Sequence, residues 1–118
     1  MVQFICYPKC TTCQKAEKWL KEHHISYSAR NIKEDRPSAD ELKTWYGRSG
    51  KPLKTFFNTS GLVYKSLGLK ERLSEMSEEE QLTLLATDGM LVKRPLLVSD
   101  ENVLVGFREA EWEKLLVN

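Results

Sequence analysis

A chain of 118 residues, 41% hydrophobic and 30% charged, has enough apolar content for a packed core and is not a disordered segment. Eighteen basic against seventeen acidic side chains leave a formal charge of +1, which excludes a broad basic field for nucleic acid or a membrane surface. No apolar run approaches the roughly 20 residues that span a bilayer. The start, Met1-Val2-Gln3-Phe4, runs into a strand with no basic segment and no cleavage site, so no leader and a cytoplasmic location are expected.

Residues 2–7 alternate, with Val2, Phe4 and Cys6 on one face and Gln3, Ile5 and Tyr7 on the other, which predicts a short central strand. Pro8-Lys9-Cys10 is the turn. Residues 11–24 are predicted helical, with Ala16, Trp19, Leu20 and His23 in one stripe. Residues 25–32 read as a second strand, and the strand–helix–strand order suggests a right-handed parallel crossover.

The pattern then changes. Ser38-Ala39-Asp40-Glu41 is a capping box that opens a helix toward Tyr46, interrupted by Gly47, Gly50 and Pro52. Residues 53–57 form a short helical turn, 58–61 a turn and 64–69 a weak helix. Ser77-Glu78-Glu79-Glu80 is a second capping box, followed by Leu82, Leu84, Leu85 and Ala86 and ended at Asp88-Gly89. Strand character returns at residues 96–98 and 103–105, joined through the hairpin loop 99–102. Residues 109–117 close the chain as a helix with Trp112, Leu115 and Leu116 inward. The order is β-α-β, a helical insertion over about 36–90, then β-β-α. That is an α/β class with helices on both faces of one sheet, in one domain over residues 1–118.

Cys10-Thr11-Thr12-Cys13 carries the chemistry. A cysteine at a helix start lies beside unpaired backbone N–H groups and the positive end of the helix dipole, which favour the reactive thiolate. Lys9 acts in the same sense. Cys10 is therefore the expected nucleophile, and Cys13, leaning toward the buried stripe, the resolving thiol. Cys6 is expected to be a buried apolar thiol. An intrachain zinc site is not expected. No second Cys-x-x-Cys exists, and His23 and His24 lie about 15–20 Å along the helix from Cys10.

Arg94-Pro95 enters the third strand, where a proline marks a tight turn placed across from the cysteines in a thiol-redox fold. Arg108 precedes the last helix, where a cation does not help the dipole and an anion partner would. Lys51 and Lys54 read as solvated lysines, and Trp19, Trp45, Trp112, Phe56 and Phe57 as core.

Tyr7-Pro-Lys-Cys-Thr-Thr-Cys-Gln-Lys-Ala16, Tyr64-Lys-Ser-Leu-Gly-Leu69, Lys93-Arg-Pro-Leu-Leu-Val98 and Val105-Gly-Phe-Arg108 together resemble the ArsC/Spx family of arsenate reductase-related proteins. The resemblance covers nearly the whole chain in the right order. It implies a thioredoxin-like fold, a mixed four-stranded sheet with the helical insertion between the second and third strands. It places the nucleophile on Cys10, the anion-binding arginines on Arg94 and Arg108, and the structural turn proline on Pro95. Two positions depart from the glutaredoxin-linked arsenate reductases: Asn58 stands where those enzymes have a third arginine, and Cys13 where they usually lack a cysteine. Both point away from dedicated arsenate reduction. The Spx branch does carry Cys-x-x-Cys here, but its longer basic tail has no counterpart after Asn118, and residues 47–61 do not clearly match the loop it uses toward RNA polymerase.

The expected function is an ArsC-type thiol oxidoreductase. Cys10 attacks a disulfide or a small arsenate-like oxyanion, and Cys13, glutathione with glutaredoxin, or thioredoxin serves as electron donor, with no bound cofactor and no metal. The alternative is an Spx-like redox-sensitive regulator that binds the RNA polymerase alpha subunit. Direct contact with nucleic acid or membrane is expected in neither case.

Overall fold

The computed structural model describes residues 2–117, and the first strand, β1 (Gln3–Cys6), runs through its centre. Phe4 and Ile5 are both fully buried and face opposite cores, as a strand covered on both sides requires. Helix α1 (Thr11–Glu22) follows a turn, and β2 (Ser28–Asn31) pairs in parallel with β1 from Gln3↔Ser28 to Cys6↔Asn31. Strands β3 (Leu96–Val98) and β4 (Val103–Val105) complete a four-stranded sheet in the order β2-β1-β3-β4, with β3 antiparallel to both neighbours. The mixed sheet and the β-α-β…β-β-α order are thioredoxin-like, as the sequence implied.

Helix α1 stops two residues short of its predicted end. His24 adopts a left-handed φ of 56° and the Ile25 N–H returns to the Leu20 carbonyl, closing the helix. His23 therefore leaves the buried stripe and stacks on Trp19 from the exposed side, with ring centroids 3.9 Å apart. The second strand is likewise shorter than residues 25–32. Residues 25–27 are the return from α1, with Ile25 and Tyr27 packed on the core.

Both capping boxes form. Ser38 opens α2 (Ala39–Ser49) and Ser77 opens α5 (Glu78–Leu85), each hydroxyl accepting the N3 amide and each N3 glutamate accepting the cap amide. Helix α2 continues through Gly47 to Ser49, beyond its expected interruption. Between these helices lie α3 (Leu62–Ser66) and α4 (Leu69–Arg72), two short pieces in place of one weak helix. Tight 3-10 turns at Leu53–Phe56, Leu73–Glu75 and Gly89–Leu91 complete the insertion. Gly89 passes so close to the Ile32–Lys33 backbone that a β-carbon there would lie 1.8 Å from the Ile32 carbonyl oxygen.

The sheet separates two cores. Phe4, Leu97 and Leu104 meet α1 through Ala16, Trp19 and Leu20, and meet the last helix, α6 (Glu109–Leu116), through Trp112. On the other face Ile5, Leu96, Val98, Val103 and Val105 pack against the insertion, including Leu42, Phe56, Phe57 and Leu85. The aromatic residues assigned to the core lie in it. Leu115, expected inward, is 42% exposed. Trp112 and Leu116 share one helix face at i, i+4, and the residue between them in the period turns away.

Candidate functional site

The loop after β1 is a β-turn closed by the Cys10 N–H on the Tyr7 carbonyl at 2.9 Å, with Pro8 at its second position. It delivers Cys10 to the N-cap of α1 in an extended conformation (φ −86°, ψ 122°), and its side chain makes no capping hydrogen bond. The first free N–H groups of the helix and its positive dipole end therefore face the space beside Cys10 Sγ. Cys10 is half-buried and not fully exposed. Cys13 is buried at 2% exposure, one turn further on.

Cys13 Sγ accepts the Tyr7 backbone N–H at 3.3 Å. Interaction with the Cys6 thiol, with burial, pushes the Cys13 thiol above the ordinary thiol range, against the opposing pull of the Tyr7 N–H and Cys10. Interaction with Cys13 in turn lowers the Cys6 thiol from its ordinary value. Cys6 packs beside Val2 and Phe4 as its strand face requires, half-buried rather than fully buried. All three cysteines are free.

A cavity of about 430 Å³ opens on the other side of Cys10 and gathers Arg94, Arg108, Lys93 and Asn58 around it. Its walls are tied by backbone. Phe57 bridges to Val92, the Asn58 N–H donates to the Leu91 carbonyl at 2.8 Å, and the Lys93 N–H donates to the Phe56 carbonyl at 2.8 Å. The Arg94–Pro95 peptide is cis, and the Pro95 carbonyl accepts the Gly106 N–H at 2.8 Å. Gly106 has a φ of 75°, open to glycine, and its carbonyl accepts Trp112 Nε1 at 3.2 Å. Both of its backbone groups are thus fixed, which sets where Arg108 leaves the sheet. Arg108 is the exposed N-cap of α6, and Lys93 is exposed at the rim.

Arg94 lies deeper. Its guanidinium carbon sits 5.6 Å from the centroid of the Tyr7 ring, and Nη1 donates to the Met90 carbonyl at a long 3.4 Å. Its Nε is buried and has no partner among the described residues. The cavity therefore presents two guanidinium groups, an ammonium and an amide to one sulfur, which suits an anionic substrate. Lys51 does not line it. Its Nζ pairs with Glu111 at 3.1 Å, and Lys54 points elsewhere into solvent. Lys93 and the pairing that builds the Phe56–Asn58 wall escaped sequence reasoning, although the resemblance singles out Asn58 as the third-arginine position. Lys93 adjoins Arg94, which was the available signal, but the pairing of residues 56–58 with 91–93 has no local signature. Among the described residues no group of three or more His, Cys, Asp or Glu is placed to hold a metal ion, and no helix is long and apolar enough to cross a membrane.

A thioredoxin-like sheet with a Cys-x-x-Cys at the first helix and a basic cavity beside it defines the class. A model of the ArsC family matches residues 6–115, and the chain belongs to that family. It is 56% identical to the uncharacterized protein YusI of Bacillus subtilis (strain 168), over 94% of each chain. It is 32% identical to the regulatory protein MgsR of the same strain, over 95% of this chain and 87% of that one. Among solved structures it superposes on an ArsC family related protein from Bacteroides fragilis with a TM-score of 0.94 and 58% identity, covering 97% of this chain and 96% of that one. It matches a protein described as a possible arsenate reductase from Streptococcus mutans UA159 with a TM-score of 0.86 and 46% identity, covering 92% of each chain.

Proposed function

We propose that the chain is a thiol–disulfide oxidoreductase acting on a small anionic substrate, with Cys10 as nucleophile and Cys13 as resolving thiol. The observation that carries this reading is that Cys10 lines the basic cavity while Cys13 lies buried one helical turn further along α1. Cys10 thiolate attacks one sulfur of a substrate disulfide. A mixed disulfide forms, and the other half leaves as a thiolate that takes up a proton. Cys13 then loses its proton and attacks Cys10 Sγ, releasing the second half as a thiol and leaving the Cys10–Cys13 disulfide. Two electrons pass from the two cysteines to the substrate, and an external thiol restores them. Glutathione with glutaredoxin, or thioredoxin, is the donor class proposed. Arg94 and Arg108 bind the anionic groups of the substrate, and on an arsenate-like oxyanion they neutralise charge as it develops. Asn58 gives the cavity a neutral amide in place of a further cation, which supports an anionic disulfide over arsenate.

The test is turnover of oxidised glutathione and of arsenate, each with and without glutaredoxin, by wild-type protein and Cys10→Ser. Cys10→Ser is expected to abolish activity. Wild-type rates in that variant would overturn the assignment.

A second reading is supported by the regulatory protein MgsR, which shares 32% identity with nearly all of this chain. In it the Cys10–Cys13 pair switches a surface that binds the alpha subunit of RNA polymerase. Binding of the carboxy-terminal domain of alpha in one redox state would support it. Absence of binding in both states removes it.

A further inference from the structure

We propose that Lys93 is the specificity-determining residue of the cavity: its ammonium pairs with a carboxylate carried by the substrate disulfide, and so selects disulfides of small carboxylate-bearing peptide thiols over neutral disulfides. This deepens the proposed function and rests on it.

The two walls of the cavity differ in charge. One wall comes from the insertion and offers Thr55, Asn58 and Ser60, all neutral. The other comes from the ends of the sheet and offers Lys93, Arg94 and Arg108, all cationic. Among the described residues no aspartate or glutamate lines the cavity. The Asn58 amide is folded back on its own turn, so close that a β-carbon at Gly61 would lie 2.6 Å from Asn58 Nδ2. The neutral wall suits the amides of a peptide and the cationic wall its carboxylates. A volume of about 430 Å³ falls within the range of about 300–1,000 Å³ that takes a small organic ligand.

The three cations are not equivalent. Arg94 lies deepest, over the Tyr7 ring with its Nε buried, where it meets the reacting end of any anion. Arg108 is the N-cap of α6, and Glu109 and Glu111 in the first turn of that helix offset part of its charge. Lys93 is exposed, and its ammonium has no hydrogen bond or ion pair among the described residues. Its stem is nonetheless placed. The Lys93 N–H donates to the Phe56 carbonyl at 2.8 Å, and Lys93 Cε lies 3.3 Å from where a β-carbon on Gly106 would stand. Gly106 is held through Pro95 and Trp112, so both sides of that contact are fixed. A free ammonium on a stem laid against fixed backbone loses little freedom when it pairs. A substrate carboxylate stands several bonds from the sulfur that Cys10 attacks. The cation that meets it must therefore sit at the rim and not beside that sulfur, and Lys93 sits at the rim.

The test follows one oxidation step and needs no electron donor. Reduced protein is mixed with oxidised glutathione, which carries carboxylates, or with neutral hydroxyethyl disulfide. It is quenched in acid over a time course and blocked with N-ethylmaleimide, and the loss of free Cys10 and Cys13 is read by mass. Lys93→Met is expected to lower the second-order rate constant for oxidised glutathione about fivefold, the size of one exposed ion pair. The rate with hydroxyethyl disulfide should change by less than about twofold, and Lys93→Arg should recover most of the loss. Lys54→Met removes an exposed lysine that does not line the cavity, and should change neither rate by more than about twofold. If Lys93→Met slows neither disulfide, or slows both alike, Lys93 does not read the carboxylate; the proposal is wrong and the proposed function stands. If Lys54→Met slows oxidised glutathione as much as Lys93→Met does, net charge accounts for the effect and the proposal is wrong. If neither disulfide oxidises the wild-type protein, both proposals fall.

Discussion

The guanidinium of Arg94 lies over the ring of Tyr7, 5.6 Å from its centroid, while the backbone N–H of Tyr7 holds the Cys13 sulfur at 3.3 Å. One residue thus joins the anion-facing side of the site to its thiol side. The contact holds Arg94 in place without using up its donors, and its buried Nε has no partner among the described residues. A stacked guanidinium contributes about 0.5–1 kcal/mol, whereas a buried unpaired N–H costs about 1–3 kcal/mol. Arg94→Met, which keeps the apolar stem, is therefore expected to raise stability by about 1 kcal/mol in urea unfolding. Inorganic phosphate is expected to raise the melting temperature of the wild type, and the variant is expected to lose that rise. A destabilised variant that still responds to phosphate would show that Arg94 serves the fold and not the site.

Cys13 is expected to separate the two halves of the exchange reaction. Cys13→Ser leaves Cys10 able to attack but unable to be released from within. Oxidised glutathione should then accumulate on Cys10 as a mixed disulfide, seen as a gain of one glutathione in the intact mass. Cys10→Ser should show no such adduct on residues 10–13. Equal adduct in both variants would remove Cys10 from the role of nucleophile.

Gly89 tests how the insertion is seated on the sheet. A β-carbon there meets the Ile32 carbonyl oxygen at 1.8 Å and its carbon at 2.7 Å, both backbone atoms that no rotamer change can move. Gly89→Ala must separate the 3-10 turn from the end of β2. The expected cost is about 3 kcal/mol by urea unfolding. That turn leads through Leu91–Arg94 into the cavity wall, so phosphate binding should weaken as well. A loss under about 0.5 kcal/mol, the range of an ordinary surface change, would contradict the close approach.

What could be read from the sequence was whatever a local pattern encodes. Alternation fixed β1, the two capping boxes fixed the starts of α2 and α5, and the Cys-x-x-Cys after a strand marked the first helix. Arg94 and Arg108 carried weak local signals, a turn proline and a cation at a helix start, and the resemblance joined them into one anion site, because what brings them together is the pairing of β3 with β4 and the fixed Gly106. Cys6 was read as inert for a related reason. Its strand face is apolar by sequence spacing. The pull of Cys13 on its thiol depends on where the turn at Tyr7–Cys10 returns the chain, which spacing does not contain. The end of α1 was missed because the left-handed His24 is not a glycine, so the usual stop signal was absent.

Glu41 gives the fold an acid-sensitive clasp. Its carboxylate accepts Arg30 Nη1 at 2.7 Å and Nη2 at 2.9 Å, and it also takes the Ser38 N–H at 3.0 Å in the capping box. Arg30, and after it the cap amide, hold the Glu41 carboxyl down at about 2 against an ordinary 4.5. A carboxyl lowered on folding stabilises the native state fully above its unfolded value and loses that contribution as pH falls toward its folded value. The side chain is 37% exposed, so solvent screening limits the pair to about 1 kcal/mol. Glu41→Gln is therefore expected to be less stable than wild type by about 1 kcal/mol at pH 7. The gap should narrow between pH 4.5 and pH 2 and be absent below about pH 2, where the carboxyl is protonated in the folded and unfolded chain alike. Urea midpoints of the two proteins at pH 7, 4.5 and 2 measure it, and comparing them cancels the other carboxylates that titrate in the same range. A gap that persists unchanged at the lowest pH would place the loss in packing or capping, and not in the charge of Glu41.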